Sequence, residues 1–273
     1  PTYKAIVLTA ADSLATRYSP IVGAIKSWDW TSWWEYPVII DNMMNLELLF
    51  WAAENGGNPD YHNIAHNHAL RTMQDHVRVN GSTYHVIDYD PLTGSVVEKT
   101  TWQGYSDEST WARGQAWGIY GFTMTYRYTE DSRMLDTATM LADYFIENTP
   151  QDDYVPFWDF DAPPELEFKD SSAAAIATSG LLELSTLVDD DKLAKRYFKA
   201  AEKILKSLSS KDYLARGTPS HGIINHGVQN YRVEDTIDVS LSYGDYYFIE
   251  ALLRYEEILD DDNGDDNDRD GDD

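Results

Sequence analysis

The chain has 273 residues, 42% of them hydrophobic and 13% aromatic, which is enough to bury one large core in one domain. A formal net charge of −26 excludes nucleic acid as a partner, because phosphates would be repelled, and an acidic ligand would need local Arg or Lys. With no cysteine there are no disulfides or thiolate metal sites, and no stretch is apolar enough to span a membrane. The first residue is Pro1 rather than Met and no signal peptide is present, so processing or truncation is the expected source of this N-terminus.

Hydrophobic periodicity predicts helices near 3–17, 37–55, 59–79, 108–129, 132–148, 172–187, 190–209 and 245–259. Asn58-Pro59-Asp60 supplies a cap and a first-turn proline for the third, and Glu130-Asp131-Ser132 opens the fifth. One hairpin interrupts them: Ser82 to Asp88 alternates, Asp90-Pro91-Leu92-Thr93-Gly94 turns, and Ser95 to Lys99 returns.

Two kinds of helix alternate. Those starting near 37, 108, 172 and 245 are apolar or small on most faces, as in Ala173-Ala174-Ala175-Ile176-Ala177; those near 59, 132 and 190 carry a charged face. The buried kind recurs about every 70 residues, the period of stacked αα-hairpins. A closed ring of helix pairs follows, with parallel inner helices. Their N-termini should then share one mouth, where free N–H groups suit an anion. Asp41, Asn42, Asn45, Ser109, Arg113, Ser171, Ser172 and Asp245 are expected to converge there.

Nine Trp and nineteen Tyr fit either an aromatic core or a sugar cleft, since an aromatic ring offers a flat apolar face. Arg113 and Trp117 are four apart on one helix face. Arg113 could take a carboxylate through two parallel hydrogen bonds, or could be a buried arginine paired with Asp107 or Glu108. Val38-Ile39-Ile40 and Met43-Met44 surround Asp41 with apolar groups, which raises a carboxyl pKa toward neutrality. His62 and His66 are spaced like a zinc pair but lack the accompanying Glu, so no metal is expected in the barrel.

The string Gln103-Gly104-Tyr105-Ser106-Asp107-Glu108-Ser109 through Trp111-Ala112-Arg113-Gly114-Gln115-Ala116-Trp117-Gly118-Ile119-Tyr120-Gly121 resembles the unsaturated glucuronyl hydrolases, glycoside hydrolase family 88. Four stretches agree: Ile40-Asp41-Asn42-Met43-Met44-Asn45, Ser82-Thr83-Tyr84-His85, Val155 to Asp159 with Lys169 to Ala177, and His226-Gly227-Val228 with Gly244-Asp245-Tyr246-Tyr247. The resemblance spans residues 1 to about 258 and implies an all-α (α/α)6 barrel over 1–259, here without its N-terminal helices.

It also implies a chemistry without a cofactor, acting on unsaturated uronic-acid oligosaccharides. An acid protonates C4 of a terminal 4,5-unsaturated uronic acid, water adds at C5, and the remaining sugar leaves. Asp41 matches the acid/base and Arg113 the carboxylate-binding residue; His85 and Gln103 match site residues, Trp117 looks like a stacking wall, and His226 lies in a matching stretch expected to bind substrate. The family's second carboxylate would lie upstream of Pro1, and Tyr243 stands where a Trp is usual. The alternatives are an unsaturated rhamnogalacturonyl hydrolase, or an inactive fragment that only binds sugar. Residues 260–273 form an Asp-rich tail in which Asp266, Asp268 and Asp270 match half a calcium loop, implying at most weak calcium binding, or else a disordered tail. The tail resembles calcium-binding linkers of secreted proteins and favours a periplasmic or secreted location.

Overall fold

The computed structural model describes residues 2–269, and the side chains of 3–260. Eight α-helices occur among the described residues: α1 (Thr2–Ala15), α2 (Leu46–Glu54), α3 (Asp60–Asp75), α4 (Ala112–Thr129), α5 (Ser132–Asn148), α6 (Ser171–Leu187), α7 (Asp191–Leu208) and α8 (Ser242–Arg269). The fold is all-α, with consecutive helices packed as αα-hairpins. Every residue of α4 from Ala112 to Thr125 is buried, as is every residue of α6 from Ser171 to Leu182. These two inner helices pack side by side, and α5 and α7 lie outside them. On α7 only one stripe is buried, Tyr197, Ala201, Ile204, Leu205 and Leu208, as its charged outer face requires. Asp131 and Asp190 cap α5 and α7, each accepting a backbone N–H of the first turn.

The predicted helix over 37–55 is three elements. Pro37–Ile39 is a strand (β3), Ile40–Asn45 a turn of 3-10 helix, and only Leu46–Glu54 is α-helical. The β-branched run Val38-Ile39-Ile40 explains the strand, since it fits a pleated surface better than a helix. β3 joins β4 (Val86–Tyr89) and β5 (Val96–Thr100) in an antiparallel three-stranded sheet, so the predicted hairpin gains an unforeseen third strand. Two short strands, β1 (Tyr18–Ser19) and β2 (Ala24–Ile25), precede it. The helix expected to run to 79 stops at Asp75, and Val77 pairs with Thr83 instead.

α4 and α6 are buried all round, as their composition requires. α8 is not: Tyr246 and Leu253 are each 60% exposed, and on α1 Tyr3 is 86% exposed. No described helix is long and apolar enough to cross a membrane. His66 bonds to Asp131 and His62 packs on Phe50, so the pair does not converge on one point. The side chains of Asp266 and Asp268, and all of Asp270, lie outside the described residues.

Candidate active site

The sheet brings the two sides of the site together. In the β3–β4 register Ile39 faces Val86, and one step further Ile40 donates its N–H to the His85 carbonyl at 3.1 Å. Asp41 and His85 are therefore neighbours at the end of the ladder, 44 positions apart in sequence. The 3-10 turn that carries Asp41 lies against α4, where Gly114, Gly118 and Gly121 face Ile40 and Met43; a β-carbon on Gly118 would sit 3.3 Å from Ile40. That close approach needs small residues.

Asp41 is 26% exposed at its side chain, yet its Oδ2 is buried without a hydrogen-bond partner among the described residues. Burial pushes its pKa up to about 6, and the Arg113 charge and the Trp117 indole pull only partly against that. Trp117 Nε1 is itself buried and makes no hydrogen bond of regular geometry among the described residues. His85 Nε2 stands 3.6 Å from Asp41 Oδ2, beyond hydrogen-bonding distance. The His85 tautomer is fixed from behind: the backbone N–H groups of Trp102 and Gln103 both lie 3.2 Å from Nδ1. Two pure donors require Nδ1 to accept, so the ring proton sits on Nε2 and points at Asp41. Burial holds the His85 pKa well below its ordinary value, so the ring is neutral.

Arg113 is 2% exposed and its partner is neither Asp107 nor Glu108. Nη1 donates to Asp170 at 2.8 Å and to the Val228 carbonyl at 2.5 Å, while Nη2 donates to the Gln229 carbonyl at 2.6 Å. The guanidinium also stacks 4.4 Å from the Trp111 ring, which in turn lies 4.4 Å from His85. Gln103 Nε2 donates to the same Gln229 oxygen at 2.7 Å, so one carbonyl collects the expected carboxylate-binding Arg113 and the expected site residue Gln103. Tyr243 lies 5.3 Å from Arg113 and 6.2 Å from Trp117, and burial pushes its hydroxyl up to about 12.

The structure thus gathers Asp41, His85, Gln103, Arg113 and Trp117 into one neighbourhood. It places His226 elsewhere: the imidazole pairs with Asp238 and lines a cavity of about 860 Å³ with Tyr154, Lys203 and Tyr213. Of the polar residues expected to converge, Asn42 turns away to the Ile25 carbonyl, and Asp245 accepts from Ile223 and Ile224. Ser109 bonds Asp159. The N-terminus of α6 does not stand open for an anion, because Asp170 fills it by accepting from Ser172 N. Sequence reasoning missed Asp170 as the partner of Arg113 and Gln229 as the acceptor. The Asp170-Ser171-Ser172 string is a legible helix cap, but no local pattern could pair it with a residue 57 positions away.

Helix hairpins packed on the inner helices α4 and α6, beside a half-buried carboxyl whose Oδ2 has no partner among the described residues, define an α/α-barrel protein with the makings of an acid/base site. The chain belongs to the unsaturated glucuronyl hydrolase family. It is 45% identical over 262 residues to the unsaturated glucuronyl hydrolase of Formosa agariphila, covering 94% of this chain and 64% of that protein. It is 38% identical over 255 residues to that of Bacillus sp. (strain GL1), covering 92% and 67%. A crystal structure of an unsaturated glucuronyl hydrolase specific for heparin superposes with a TM-score of 0.88 at 46% identity, covering 93% of this chain and 68% of that one. The chain therefore spans about two thirds of the length of these relatives. No family profile matches it.

Proposed function

We propose that the protein removes the terminal 4,5-unsaturated uronic acid from oligosaccharides by hydrating its double bond. The observation that carries this reading is Asp41: a half-buried carboxyl raised to about pKa 6, its buried Oδ2 without a partner among the described residues, and a neutral His85 N–H aimed at it. Such a group holds a proton near neutrality and can both give and take one.

In the proposed reaction the Asp41 proton goes to C4, and the C4–C5 double bond supplies the electron pair. Water then bonds to C5 and returns its second proton to Asp41. The product is a hemiketal at C5; opening of the ring exposes a hemiacetal at C1, which collapses and releases the remaining sugar. When Asp41 is anionic, the His85 Nε2–H can close the 3.6 Å gap and steady the charge.

The uronate carboxyl is proposed to take the place of the Gln229 carbonyl, which would move off the two donors when substrate binds. Arg113 Nη2 and Gln103 Nε2 already converge on that oxygen, at 2.6 Å and 2.7 Å. A carboxylate oxygen would accept the same two donors, with charge assistance that a carbonyl lacks. Trp117 would wall the sugar ring, with Tyr243, 6.2 Å away, packing beside it. His226 has no part in this scheme.

The test is hydrolysis of an unsaturated disaccharide, followed as loss of the absorbance of its conjugated double bond. A protein that binds the disaccharide without consuming it would leave only a sugar-binding role.

A further inference from the structure

A cluster of five tryptophans lies beside Gln103. Trp28, Trp30, Trp33 and Trp34 come from the loop between β2 and β3, and Trp102 precedes Gln103. Trp28 stacks on Trp30 at 5.2 Å and 27°, Trp33 stacks on Trp102 at 6.2 Å and 25°, and Trp30 meets Trp102 edge-on at 5.2 Å. Trp34 is 8% exposed and belongs to the interior, but Trp30 and Trp33 are each 61% exposed.

The loop is held in this shape. Asp29 is clamped by Arg17 and Lys26 at 2.8 Å each. Trp28 Nε1 donates to Thr31, and Trp34 Nε1 to Glu98. Two large rings facing water on an anchored loop form an apolar patch that calls for an occupant.

We infer that Trp30 and Trp33 form a stacking platform for uncharged pyranose rings lying further along the oligosaccharide than the unsaturated uronate. The inference rests on the proposed function. Continuity with the site supports it: Trp102 donates its backbone N–H to His85, and the chain runs from Trp34 through β3 directly to Asp41. A sugar chain running from Asp41 past Gln103 meets these rings next. Flat aromatic faces suit the C–H faces of a pyranose and lose little conformational entropy on binding. Charge selects the class of ring. Glu35 follows Trp34 and is exposed, and Glu98 accepts from Trp34; these carboxylates disfavour sulfated or acidic sugars at the platform.

The experiment compares wild type with Trp30→Ala/Trp33→Ala on two substrates. One is an unsaturated uronate joined to a single uncharged hexose, the other an unsaturated uronate followed by three uncharged sugars. The platform predicts a KM for the longer substrate about tenfold higher in the variant, with kcat unchanged and the shorter substrate affected less than about twofold. Trp30→Tyr/Trp33→Tyr should recover most of the loss. Equal effects on both substrates, or none on either, overturn the platform. So does a lowered Tm, or a dimer that the alanine variant splits, since the rings would then be structural or face a second copy. Calorimetric binding of the longer saccharide to Asp41→Asn, with and without the two alanines, decides the matter independently of turnover. If wild type cleaves neither substrate, the proposed hydrolysis fails while this binding comparison still stands.

Discussion

Two acids of the site, the buried Asp170 and the half-buried Asp41, differ in how their hydrogen bonds are completed. Asp170 is 0% exposed and fully engaged: it takes Arg113 at 2.8 Å and the N–H and hydroxyl of Ser172. Asp41 has an equally buried Oδ2 with no hydrogen-bond partner among the described residues. The first acid holds an architecture; the second is left able to exchange a proton. Burial alone does not mark a reactive carboxyl, and what distinguishes the two is whether the surrounding residues complete the hydrogen bonds.

Removing the proton-carrying group should separate them most sharply. Asp41→Asn should lower turnover about a hundred- to ten-thousandfold with little change in substrate affinity, measured by loss of the conjugated absorbance and by calorimetry. A variant keeping more than about a tenth of the turnover would move the acid elsewhere. Asp170→Asn should act on stability instead. It leaves Arg113 buried without its counter-charge, a loss on the order of 3–5 kcal/mol in denaturant unfolding. If this variant kept full stability and lost only activity, Asp170 would belong to the chemistry and the contrast would fail.

The pH dependence follows from the sign of the Asp41 shift. Its folded-state pKa of about 6 lies above its ordinary 3.8, so the folded protein holds this proton more tightly than the unfolded chain. The resulting stability is complete below about pH 4 and is lost as pH rises through about 6. Asp41→Asn should therefore be more stable than wild type at pH 7, by on the order of 2 kcal/mol, and match it near pH 4. The side chain's 26% exposure keeps the expectation modest. Hydrolysis that needs the protonated acid should decline in the wild type above about pH 6. A stability difference independent of pH would show that the Asp41 pKa is the same in the folded and unfolded chain.

The helices were legible because burial all round, as in Ala173 to Ala177, and charge on one face, as in α7, both leave a periodic trace. The Asp41 segment was misread as helix because a short apolar run carries no period that separates strand from helix. Asp41 itself was legible as an acid in apolar company. Arg113 was legible as buried or carboxylate-binding but not as which, since its partners Asp170, Val228 and Gln229 lie 57 to 116 residues away. The tryptophan count was visible from composition, whereas the exposure of Trp30 and Trp33 needed the fold.

The smallest effect is expected at His226, and it tests placement rather than chemistry. His226 shares a resembling stretch with Val228, whose carbonyl touches Arg113, yet its own side chain faces away. It is 42% exposed and pairs with Asp238, which is 61% exposed. Exposed pairs of this kind contribute about 0–1 kcal/mol, because water screens the charges. Its backbone matters more: φ is 65°, and its carbonyl accepts the Ser171 N–H at the start of α6. Alanine at this position would mix a side-chain effect with left-handed backbone strain. Asparagine tolerates that conformation, so His226→Asn isolates the imidazole. The variant should keep its KM and turnover within about twofold and its stability within about 1 kcal/mol. A KM raised tenfold would mean that the loop turns over to bring His226 to the substrate.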